Sequence, residues 1–111
     1  RGQLLVEHAS ADTLARAAIS LCASMAFHLA AQVLAYVGDQ LAGSLARALI
    51  ELDAQEGELT VAHAVAALAD AERRGARLPW EAAAHAAERA HGGTGMVVAR
   101  ALRTAAAVDR L

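Results

Sequence analysis

His28 is the residue around which chemistry could be built. It lies within AAISLCASMAFHLAAQVLAYVG, residues 17–38, a run of 22 positions without a formal charge. Polar side chains recur there at every fourth position: Ser20, Ser24, His28, Gln32 and Tyr36, with Gln40 just beyond. On a helix this spacing keeps them on one slowly drifting stripe. An imidazole with Ser24, Gln32 and Tyr36 on the same stripe could line a pocket between helices. There it would hydrogen-bond a planar ligand or bind a metal or haem iron. The same stripe also reads as a polar helix face, or as satisfied groups at a helix–helix contact.

Other constellations are thinner. His85 follows Glu81 by four positions and precedes Glu88 by three, so all three share a helix face. Carboxylate-bridged metal bundles need two such motifs and two further glutamates, and here there is one. A zinc set from His63, Asp70, His85 and Glu88 is geometrically imaginable, but no resident metal is expected. Cys22 is the sole cysteine, which excludes an intrachain disulfide and a cysteine-based metal cluster. All ten basic residues are arginine and lysine is absent, which excludes Schiff-base chemistry and a phosphate-loop lysine. His91-Gly92-Gly93-Thr94-Gly95 matches no phosphate-loop pattern and reads as a connector. The serines of the stripe lie inside a helix, not on a sharp exposed turn, so no catalytic residue is assigned and the chain is read as a non-enzyme.

The elements that must position these groups are helices. Alanine supplies much of an apolar fraction of 57%, aromatic residues are 3%, and no strand-like alternation is visible. A chain of 111 residues is one domain by size. Residues 1–9 read as an arm or short helix. Ser10 or Asp12 can cap a long helix over about 12–37, which Gly38 ends. A second long helix covers about 40–55, with Leu41, Leu45, Leu49 and Leu52 as its apolar stripe, and Gly57 ends it. Thr60 caps a helix over 60–74, with Val61, Val65 and Leu68 inward and His63, Asp70 and Arg73 outward. Gly75 closes that helix. Leu78-Pro79-Trp80-Glu81 starts a helix over 79–91. Thr94 caps the last, 95–110, with Val97, Ala101 and Val108 opposite Arg100, Arg103 and Arg110. Short connections between these segments predict an all-α fold, a compact up-and-down bundle of four to six helices.

The stretch FHLAAQVLAYVGDQLAGSLARAL, residues 27–49, resembles histidine phosphotransfer domains. Those are helical bundles with a phosphorylated histidine on a long helix and a glycine about three turns later, the places held here by His28 and Gly38. Where the family carries lysine and glycine shortly after the histidine, this chain has Ala30 and Ala31. The resemblance implies phosphotransfer at His28.

Charge narrows the partners. A formal net charge of −2 argues against general nucleic-acid binding. Residues 73–103 nevertheless carry six arginines against two glutamates, and Arg73, Arg74, Arg77, Arg100 and Arg103 form a candidate anion patch. Alanine-rich composition and central polar residues make residues 17–38 a buried soluble helix in this reading, not a membrane span. With no leader segment legible and one cysteine, the cytoplasm is the expected compartment. The leading functional reading is a non-enzymatic interaction or regulatory module. It would bind itself or another protein through an alanine-rich apolar face, with Leu21, Met25, Leu29, Leu41, Leu45 and Leu49 as candidate interface residues and no cofactor. The alternative is a ligand-binding bundle, natural or designed, holding a small apolar or planar molecule such as haem against the His28 stripe. A phosphotransfer-like domain is the third reading.

Overall fold

Ser10 opens the first described helix as the sequence requires: its hydroxyl accepts the Thr13 backbone N–H at 3.2 Å. The computed structural model describes residues 10–35, 40–75, 77–90 and 92–109. They form six helices, α1 Ala11–Ala23, α2 Phe27–Ala35, α3 Leu41–Glu56, α4 Glu58–Arg73, α5 Trp80–Ala90 and α6 Gly92–Asp109, with no strand among the described residues. The fold is a compact helical bundle measuring 39 × 29 × 25 Å.

The uncharged run is two helices, not one. The chain leaves α1 at Ser24 and passes through Met25 at φ 63°, the left-handed region that side chains other than glycine rarely enter. Met25 N–H donates to the Cys22 carbonyl at 2.9 Å, and Ala26 N–H to that of Leu21 at 2.8 Å. This is the paired terminal bonding of a Schellman stop, with methionine where glycine usually sits. The turn redirects α2 so that Phe27, Ala30 and Leu34 enter the core. The expected stop at Gly38 and the arm over 1–9 lie outside the described residues.

The central element is α3, which packs on α1, α4, α5 and α6. Leu45 and Leu49 on α3, Val61 and Leu68 on α4, and Val98 and Leu102 on α6 are fully buried, and alanines fill much of the space between them. Gly57, at φ 96°, ends α3, and the chain enters α4 immediately, so Thr60 lies inside the helix and does not cap it. Glu72 fixes the next connection: its carboxylate accepts the Leu78 N–H at 3.0 Å and the Trp80 indole N–H at 2.9 Å.

Gly92-Gly93-Thr94 belongs to α6 and is neither connector nor cap. Gly95 shows why glycine is useful there: a Cβ would lie 2.0 Å from the Ala87 carbonyl oxygen of α5. The inward face of α6 is Val98, Ala99, Leu102 and Ala106, while Val97 and Ala101 are only half-buried. The expected stripe is therefore rotated, because α6 meets three neighbours, α5 most closely and then α3 and α4, and Val97 and Ala101 line the groove on its α4 side.

Candidate functional site

The break at Met25 divides the polar stripe. Ser20 stays on α1, Ser24 is the exposed cap of that helix, and His28 and Gln32 are exposed on α2. Tyr36 lies outside the described residues. The long histidine-bearing helix that the phosphotransfer resemblance implies is two helices in this region, with His28 one residue into the nine-residue α2. Among the described residues no three His, Cys, Asp or Glu side chains converge as a metal site.

The candidate interface residues also separate. Leu41, Leu45 and Leu49 are buried in the protein's own core, so they have no surface to offer a partner. Leu21 is half-buried, whereas Met25 and Leu29 are 75% and 54% exposed. The arginines are dispersed among separate partners. Arg73 pairs with Asp70, and Arg103 with both Glu81 and Glu88. The Arg74 guanidinium stands 4.5 Å from the centre of the Phe27 ring, and Arg77 lies beside Leu78 and Pro79 at another site. Arg100 shares one groove with Arg73 and another with Arg103, and no groove gathers all five.

What the fold does assemble is an open face along α4. Val61, Val65 and Leu68 turn inward, which leaves Leu59, Ala62, His63, Ala66 and Arg73 exposed. A groove of about 930 Å³ runs beside this ridge between α4 and the α1–α3 pair. Its lining is largely apolar, with Ile19, Cys22, Met25, Phe27, Leu52 and Ala67 prominent. On the other side a second groove, about 480 Å³, lies between α4 and α6 and is lined by Val61, Val65, Ala69, Val97, Ala101 and Ala105. Ala66 and Asp70 border both, so α4 is a low ridge with a channel on either flank.

Polar groups sit on the rims. Arg16 pairs with Glu51 at 3.2 Å above the first groove, and His63 and Asp70 stand along its α4 edge. Glu58 and Arg73, from opposite ends of α4, both reach the second groove. Burial, with a smaller push from Asp70, raises the Cys22 thiol to about 11, so it is protonated and unreactive at neutral pH. Outside the grooves, Asp12 ties α1 to α3: the buried Ser44 hydroxyl, and then Arg47 at 3.1 Å, hold its carboxyl below its usual range.

Sequence reasoning placed His63, Asp70 and Arg73 outward but missed Leu59, Ala62 and Ala66. Their signal was present as positions 59, 62, 66 and 73, which carry leucine, two alanines and arginine; Ala69, which would complete the alternating steps of three and four, is buried in the core. That is the spacing of a helix-pairing seam. No family model, curated protein or solved structure matches this chain. Among the described residues no helix is long and apolar enough to cross a membrane.

Proposed function

We propose that this chain is a non-enzymatic protein-interaction module that receives a partner helix on α4. One observation carries the reading: the solvent face of α4 presents Leu59, Ala62 and Ala66 between Glu58 and Arg73 at its ends, with His63 on one edge, and is flanked by largely apolar channels. An ordinary surface helix turns charged residues to water. A ridge of alanines instead lets another helix approach closely, and the channels accept its larger side chains by ridges-into-grooves packing. The experiment is selection of a displayed library of amphipathic helical peptides against the folded protein, with Ala66→Glu as counter-target. Peptides that bind the parent and lose at least about tenfold in affinity on the variant support the reading. Peptides that bind both proteins equally, or none at all, refute it.

A second reading rests on the groove beside α1. Its volume, about 930 Å³, falls within the range of small-molecule pockets, and Cys22 and Phe27 help line it. An apolar ligand there would make Ile19, Phe27 and Leu52 the contact residues and would not involve His28, which does not line the groove. Native mass spectrometry separates the two: a bound molecule that Ala66→Glu or Leu52→Ala displaces favours the ligand.

A further inference from the structure

We infer that the helix received by α4 is the α4 of a second copy of this chain, laid antiparallel across a two-fold axis at Ala66. This rests on the interaction-module reading and names its partner. Ala66 lies midway between Leu59 and Arg73, seven residues from each. An antiparallel copy centred there sets each Leu59 on the aliphatic stem of the opposing Arg73. On the axis Ala66 meets Ala66 without bulk between them, and each Ala62 lies opposite the half-buried Asp70 of the other copy, which Arg73 pairs with; these small contacts permit an interaxial distance near the lower limit, about 8 Å.

Charge fits the same arrangement. Glu58 stands at the N-terminal end of α4, and Arg73 and Arg74 at its C-terminal end. Reversal of a second copy brings Glu58 opposite the arginines twice, once on each side of the axis. Within one copy Glu58 makes no ion pair with any described residue. A parallel copy would instead stack like charges, so the pattern selects direction as well as partner.

The face is modest in size. Sixteen residues give α4 a length of about 24 Å, and the ridge with parts of both groove walls is roughly 20 Å across. That covers on the order of 500 Å² per copy, the low end for specific association, so the dimer dissociates in the micromolar range.

Sedimentation velocity from about 1 to 200 µM tests this, with three sets of variants. Ala66→Glu places two carboxylates on the axis and should raise the dimer Kd at least about tenfold while the helical circular dichroism stays unchanged. Ala66→Cys in a Cys22→Ala background should oxidise to a disulfide-linked dimer, because a residue on the axis meets itself, whereas Ala107→Cys in the same background should not. Glu58→Arg and Arg73→Glu should each weaken the dimer, and the double exchange should restore it. A monomer throughout the range overturns the inference, as does a dimer that Ala66→Glu leaves intact. A monomer that still binds selected peptides at Ala66 refutes only the self-pairing. Failure of both experiments removes the interaction reading as well.

Discussion

Replacing Met25 tests whether the uncharged run is broken or continuous. In the structure Met25 is left-handed and 75% exposed, so its side chain contributes little packing. A left-handed conformation costs a residue with a Cβ roughly 1–2 kcal/mol, and glycine escapes that cost. Glycine also makes the unfolded chain more flexible, which takes back about 0.4–1 kcal/mol. Met25→Gly should therefore stabilise the protein by about 0.5–1 kcal/mol, and Met25→Ala, which keeps the strain, should leave it nearly unchanged. At 111 residues, 1 kcal/mol moves the midpoint by about 4 °C, so the glycine variant should melt about 2–4 °C above the alanine variant. In an unbroken helix the order reverses, because glycine there is about 1 kcal/mol worse than alanine. Thermal and urea unfolding of the pair, followed by far-ultraviolet circular dichroism, decides the sign. An alanine variant more stable than the glycine variant would refute the break at Ser24–Ala26.

Three more outcomes follow from particular contacts. Glu72→Ala strips the acceptor from the Leu78 N–H and the Trp80 indole, so it should cost about 2–3 kcal/mol in urea unfolding and red-shift the emission of the single tryptophan; a loss below about 0.5 kcal/mol would count against the clamp. Gly95→Ala should destabilise by about 1 kcal/mol or more, although alanine is the better helix former, because its Cβ meets the Ala87 carbonyl; a gain in midpoint would show that α5 and α6 are not so close. The buried Cys22 thiol ionises near 11 when folded against an ordinary value of 9.0, so its contribution to stability is complete below pH 9 and is lost as pH rises toward 11. Cys22→Ala should flatten that part of the stability–pH curve, and an unchanged slope would refute the assignment.

Helical class, the Ser10 cap, the stops at Gly57 and Gly75 and the inward set Val61, Val65 and Leu68 are all legible in the sequence, because each depends on local backbone chemistry or on large apolar side chains at fixed spacing. The turn at Met25 is not. No glycine or proline marks it, and the chain accepts a strained residue because the redirected α2 buries Phe27, Ala30 and Leu34. The joining of Gly92-Gly93-Thr94 to α6 is likewise tertiary, since Gly95 lies against α5 where only glycine fits. Alanine explains the rest. It is small enough to lie in a core or on a surface, so periodicity alone could neither set the rotation of α6 nor reveal the open face of α4. Most large apolar residues point inward by themselves, with Met25, Leu29, Leu59 and Met96 left exposed, but which alanines remained uncovered was decided only by where the neighbouring helices packed.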